Sequence, residues 1–178
     1  HRFTLHHMGY YTDDMAQQIK DLGVEASVNP YYLWALADKY SENGLGKERG
    51  ENLVRINSLV KRDIPVSFHS DFSMAPMEPL TLAWTAINRV TSEENAFSQD
   101  QKISVYEAMR AITIDAARTI NQEKQIGSIA QGKRANLVIL NENPFVVDPM
   151  EIKNIKVLAT VFEGDFNIVK SNNLKGKK

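Results

Sequence analysis

Short apolar runs alternate with stretches of helical spacing over the first third of the chain. Phe3–His7 and Val24–Val28 read as strands, and Asp13–Leu22 between them reads as a helix. Thr12 offers a side-chain oxygen to the first turn of that helix, and Gly23 offers a stop. Asn29-Pro30 is a turn signal, after which Tyr31–Tyr40 reads as helical. Residues 41–50 carry three glycines among mixed charges and are expected to form a loop. Leu53, Ile56, Leu59 and Val60 fall on one face of a helix expected over Asn52–Arg62. Ile64–Phe68 follows as a third strand, apolar enough to be buried. Strands separated by helices at this rhythm predict βαβ units and a parallel sheet.

The pattern then changes twice. Pro79–Val90 and Val105–Ile120 both carry apolar residues at three-and-four spacing, and Ser104 with Glu107 gives the Ser-x-x-Glu sign of a capping box. After Gly127, Ala135–Leu140, Lys156–Phe162 and Phe166–Val169 read as strands, with turns at Asn143-Pro144 and Gly164-Asp165. An antiparallel tail is therefore expected behind an α/β section. Ser171–Lys178 is polar and basic and is expected to fray.

Composition narrows the classes. The 178 residues carry 21 Lys and Arg against 22 Asp and Glu, a net charge of −1, so no basic field draws nucleic acid. A hydrophobic share of 43% with 24% charged residues suits a folded chain. The best apolar run, Val157–Phe162, falls far short of the roughly 20 residues that span a bilayer, and no membrane partner is expected. Without cysteine there is no disulfide, thiolate metal site or thiol nucleophile, which leans toward a reducing, cytoplasmic setting. The chain opens on His1 with no signal-peptide pattern, and its native start is expected to lie elsewhere. A whole (β/α)8 barrel takes about 250 residues, so a barrel reading makes this chain one portion of a longer protein.

All four histidines fall at two places. His1, His6 and His7 surround the first strand, and His69 follows the third, two residues before Asp71. Both places are C-terminal ends of expected parallel strands, the edge where α/β folds gather ligands and reacting groups. An imidazole and a carboxylate from separate strand ends can share one divalent cation. His6 and His7 point opposite ways along a strand, so only one of them faces a barrel centre. The spacing alone also fits ordinary polar residues at strand ends.

Longer segments resemble a known family. Ile64–Leu80, with Ser70-Asp71-Phe72, Ala75-Pro76 and Pro79-Leu80 in order, resembles the strand-8 segment of the amidohydrolase superfamily. The likeness is closer to its amidohydrolase-3 branch, which includes N-substituted formamide deformylase-like enzymes. Ser104–Ala108, Thr113, Asp115–Ala117, Gly127–Ile129, Gly132-Lys133, Ala135–Leu140 and Asn143-Pro144 follow the order of the family's C-terminal signature. Val157–Gly164 resembles its closing strand and turn, and Arg2 through His7 to Thr12 its strand-6 segment. Two departures stand out. Asn136 replaces a common Asp in the small β domain, without catalytic consequence, and His69 stands where relatives often carry a small residue.

The resemblance implies an α/β fold: strands 6–8 of a metal-dependent-hydrolase TIM-like barrel over residues 1–125, part of a flanking β-sandwich over 126–170, and a flexible tail at 171–178. It implies a hydrolase of amide-type C–N bonds other than peptide bonds in small molecules, using a divalent metal, most often zinc, to activate water. Asp71 would lie by the metal, take the proton from water and pass it to the leaving nitrogen. His7 matches the strand-6 histidine, a metal ligand or a contact to water or substrate, and its spacing to Thr12 favours it over His6. His6 and His69 remain candidates for touching substrate, or in the case of His69 for bonding a neighbour. Tyr31, Tyr32 and Trp34 either line an apolar or aromatic pocket or pack the helix layer; Arg49 either approaches the site or is simply exposed; Met74 and Met77 serve as lid or packing. The family's His-x-His after strand 1, its lysine or acidic bridge near strand 4 and its strand-5 histidine have no counterpart in this chain. By itself the chain should therefore bind zinc weakly and turn over nothing. The reading of another class is a catalytically incomplete partial barrel whose raw sheet edges favour a homo-oligomer. A His-x-His pair in the full coding sequence separates the two.

Overall fold

Residues 2–169 are described by a computed structural model of the chain. Strand β1 (Thr4–His7), helix α1 (Asp13–Asp21), strand β2 (Glu25–Val28), helices α2 (Tyr31–Asn43), α3 (Lys47–Glu51) and α4 (Ile56–Val60), and strand β3 (Val66–Phe68) follow one another. The three strands pair in parallel in the order β1-β2-β3, as the alternation predicts. Register places His6 beside Ser27 and Ser27 beside Ser67, while Ala26 lies beside Val66 and Val28 beside Phe68. One face of the sheet is thus polar and the other aliphatic. Ala26, Val28, Val66 and Phe68 join Ala16 and Ile19 of α1, Leu33 of α2 and Ile56 and Leu59 of α4 in one buried cluster. Helix α1 starts as expected: the Thr12 side chain accepts the Met15 N–H at 3.3 Å, and Asp13 and Asp14 meet the positive end of the helix dipole.

Helix α5 (Pro79–Asn88), α6 (Val105–Ala111) and α7 (Ile114–Thr119) come next, then strands β4 (Leu137–Leu140), β5 (Val157–Phe162) and β6 (Asp165–Ile168). These last strands form a separate antiparallel sheet in chain order. The hairpin between β5 and β6 turns at Glu163-Gly164, both at positive φ, one residue earlier than expected. A 3-10 turn at Pro149–Asn154 ties this part to α5. The buried Trp84 indole donates to the Met150 carbonyl at 2.8 Å, Asn88 donates to the Pro149 carbonyl at 2.9 Å, and the Lys153 ammonium sits 3.9 Å over the Trp84 ring. No helix among the described residues is long and apolar enough to cross a membrane.

Four expectations need correction. Residues 41–50 are not one loop: α2 runs on to Asn43 and α3 begins at Lys47. Gly50 explains the compactness, because a Cβ there would fall 2.6 Å from the Ser41 Cα, and its absence lets α3 lie directly on α2. The helix expected from Asn52 starts only at Ile56, since Val54 takes φ +52° and gives its N–H to the Gly9 carbonyl at 2.8 Å. Val105–Ile120 is two helices. Thr113 leaves helical geometry, its hydroxyl donating to the Met109 carbonyl at 2.6 Å, and Arg110 then reaches Asp115 at 2.8 Å across the break. Gly127, at φ +86°, packs so tightly into that corner that a Cβ would lie 2.7 Å from the Ala117 Cβ. Finally, α5 stops at Asn88 because Arg89 takes φ +51°. The expected tail at 171–178 lies outside the described residues.

Arg89 is fully buried. Its guanidinium donates to the carbonyls of Val54 at 2.7 Å, Leu53 at 2.9 Å and Phe97 at 3.0 Å. Burial pushes its pKa down to about 10, which leaves it charged at neutral pH. The Leu53 carbonyl thereby gains a donor, and the Val54 carbonyl, which also accepts the Ile56 N–H at 2.9 Å, gains a second. Arg89→Met should lower the unfolding free energy by on the order of 3 kcal/mol, because buried carbonyls lose their donors. Urea denaturation checks this, and an unchanged midpoint would show that those carbonyls find other partners.

Candidate metal and acid–base site

The C-terminal ends of β1 and β3 flank β2, and there the chain departs from extended geometry. His7 and Met8 take φ +72° and +51°, and Asp71 takes +56°. Strict alternation would send His7 to the aliphatic face that Val28 and Phe68 share. The left-handed backbone re-aims it instead. The His7 ring lies 5.0 Å from the His69 ring and 6.2 Å from the Tyr32 ring, nearly parallel to the latter at 16°. Its Nδ1 is 2.8 Å from the Tyr32 hydroxyl and 4.0 Å from Asp71 Oδ2, and its backbone N–H donates to His69 Nε2 at 3.3 Å. Both His7 and Asp71 are about half exposed.

His6 stays on the polar face. Together with Ser27, Ser67 and His69 it lines one wall of a cleft of about 1080 Å³, closed on the other side by α7 and β4. Its ring meets that of His69 edge-on at 5.9 Å. A smaller cleft of about 380 Å³ lies beside Asp71, with Phe72, Met77 and Leu82 in its wall. His69 belongs to both clefts. Burial, then the neighbouring His7 and His6, hold its pKa below the ordinary imidazole value, while Asp71 pulls the other way. An Nε2 that accepts the His7 N–H is the unprotonated nitrogen of a neutral ring, in keeping with that direction.

The remaining candidates separate. Tyr32 joins the site through His7. Tyr31, its neighbour, is buried in the core and packs edge-on against Trp34 at 5.9 Å. Arg49 lies exposed on α3 and is absent from the walls of both clefts. Met74 is open to solvent, whereas Met77 edges the smaller cleft. Sequence reasoning gave no sign of the polar serines. The sequence pattern carries Ser27 and Ser67 only as strand residues, although small polar residues at alternate strand positions are the signal of a second, polar face.

The donors at hand, imidazole nitrogen and carboxylate oxygen, are those that suit zinc. Among the described residues, no group of three or more His, Cys, Asp or Glu side chains converges as a metal site. His7 and Asp71 therefore fit a share of one, and a tightly held cation needs further ligands.

A sequence model described as the amidohydrolase family matches residues 1–167. The N-substituted formamide deformylase of Arthrobacter pascens is 29% identical over 153 residues, which cover 83% of this chain and 27% of that protein. The putative amidohydrolase YtcJ of Bacillus subtilis is 30% identical over 130 residues, 71% of this chain and 25% of its own length. An uncharacterized metal-dependent hydrolase from Pyrococcus horikoshii superposes with a TM-score of 0.70 at 26% identity, over 82% of this chain and 30% of that one. The chain spans about a quarter of the length of the curated relatives it matches. Its three parallel strands and their helices are part of a barrel of this kind.

The low pKa of His69 has a consequence for stability in the metal-free protein. Below about pH 6.5 the unfolded chain takes up a proton that the folded chain resists, so the contribution is full above that pH and is lost as pH falls through the folded value. An NMR titration of the His69 ring should give a midpoint below 6.5, and His69→Gln should flatten this part of the stability profile. A midpoint at or above the ordinary value would contradict the burial argument.

Proposed function

Because the chain belongs to the amidohydrolase family, we propose that it carries part of the active site of a metal-dependent hydrolase that cleaves amide-type C–N bonds, other than peptide bonds, in small molecules. The observation that carries this reading is the approach of His7 and Asp71, from separate strands, to 4.0 Å at the C-terminal edge of a parallel sheet. The name of one relative, N-substituted formamide deformylase, supports the substrate class, since a substituted formamide is an amide.

His7 and Asp71 would hold the cation, with zinc the metal best matched to their donors. When bound, that metal supplies Lewis-acid activation of water at neutral pH. Asp71 takes up a proton on its carboxylate and returns it to the departing nitrogen, which leaves as a neutral amine only once protonated. An amide side chain has no basic oxygen for that task. His69, kept neutral by burial, adds no positive charge against a cation next to it. His6 and the two serines give the larger cleft a polar wall, suited to orienting a polar substrate group.

In the intact protein Asp71→Asn should preserve the fold. Asparagine is nearly isosteric and as comfortable as aspartate at φ +56°. Turnover should fall by roughly 10²–10⁴-fold through the lost proton transfer, and metal content measured beside the rate separates that loss from weakened binding. His7→Asn should also be damaging, and His6→Asn milder, because His6 lines the larger cleft and Asp71 the smaller one. Near-wild-type turnover of Asp71→Asn at full metal occupancy would remove Asp71 from the proton-transfer role.

A further inference from the structure

We propose that Tyr32 is a positioning residue that sets the tautomer of His7: its hydroxyl accepts the Nδ1–H and leaves Nε2 as the free lone pair. The pairing is 2.8 Å long and joins two rings only 16° from parallel. It is built from both sides. On one side, the β1–β2 ladder continues past the strands, with the Asn29 N–H donating to the His7 carbonyl at 3.1 Å and the Tyr32 N–H to the Asn29 carbonyl at 3.2 Å. These bonds set the first turn of α2 against the end of β1. On the other side, the chain beyond His7 passes under the Tyr32 ring at Gly9, where a Cβ would lie 3.2 Å from Tyr32 Cδ2. The ring is therefore held between the His7 ring and the Gly9 backbone, half-buried, with its hydroxyl directed to one imidazole nitrogen.

A neutral imidazole has one donor and one acceptor nitrogen, and a fixed partner on one nitrogen decides the role of the other. Outer partners of this kind orient ligating histidines, and their loss typically weakens metal binding by 10–100-fold. Asp71 Oδ2, 4.0 Å from the same Nδ1, can only accept and favours a proton on that nitrogen, which leaves the Tyr32 hydroxyl to accept it. The importance of this role for metal binding rests on the reading of His7 as a ligand. The tautomer does not.

The test uses the full-length protein with isotope-labelled histidine, free of metal, at a pH where the rings are neutral. The nitrogen shifts of His7 should report a protonated Nδ1 and a bare Nε2, and Tyr32→Phe should move the ring toward the Nε2–H form with an unchanged melting temperature. Zinc affinity of Tyr32→Phe should fall 10–100-fold. A His7 tautomer that is identical in the two proteins overturns the proposal. His7→Asn, measured alongside, keeps the two readings apart: unchanged zinc affinity in that variant overturns His7 as a ligand, while the shift change in Tyr32→Phe still establishes Tyr32 as the residue that sets the ring.

Discussion

In-register parallel pairing of β1, β2 and β3 is the constraint on which everything else in this molecule depends, because it decides both what each face carries and where the strand ends meet. Ala26 with Val66 and Val28 with Phe68 make one face aliphatic, and His6, Ser27 and Ser67 make the other polar. A slip of one residue in β2 would push Glu25 and Ser27 into the aliphatic layer and turn Ala26 and Val28 toward the cleft. Parallel strands also require crossovers, and α1 and α4 in those crossovers cover the aliphatic face. The C-terminal ends, with His7 on one strand and His69 and Asp71 beyond another, then lie along one edge.

The two halves of the polar face serve different ends. Near the strand starts, α7 lies across it: Arg118 pairs with the buried Glu25 at 2.8 Å, and Thr119 donates to the Ser67 hydroxyl at 2.8 Å. A carboxylate buried this deeply needs such a partner. Toward the strand ends the same face opens on the cleft with His6 and His69 in its wall. Beyond it, the positive φ values at His7, Met8 and Asp71 cost roughly 1–3 kcal/mol each by general experience. They persist where the surroundings over-determine them, and here Tyr32 and His69 both bond His7.

Arg89 shows the same logic in the scaffold. Its guanidinium binds the carbonyls of Leu53 and Val54, just before α4, and of Phe97, whose N–H in turn donates to the Arg89 carbonyl at 3.1 Å beside the Val90–Ala96 bridge. One side chain thus ties the segment before α4 to this bridged pair. Ion-free solvation of a buried cation by carbonyls is costly in desolvation, and the depressed pKa records that cost.

Local chemistry and periodicity were enough to read several elements. The Ser104–Glu107 capping box is present as expected, with the Ser104 N–H donating to Glu107 at 2.7 Å. The parallel order of the first three strands and the antiparallel order of the last three follow from the change in rhythm along the chain. That order places His7 and Asp71 at one edge of the sheet, on either side of β2, and the left-handed turns at His7 and Asp71 then bring the two side chains together. Other features depend on contacts between distant residues. The stop at Arg89 comes from carbonyls thirty-odd positions away, the closeness of α2 and α3 from a missing Cβ at Gly50, and the break at Thr113 from the packing of Gly127. Tyr31 and Tyr32 carry the same side chain at adjacent positions, yet one is core and the other bonds His7. Strand order and the edge at which the titratable groups gather are legible along the chain, because hydrophobic period and turn residues act over a few neighbours. Which ring faces which group depends on the folded chain, because a left-handed φ at a strand end is stabilised by partners that the local sequence does not contain.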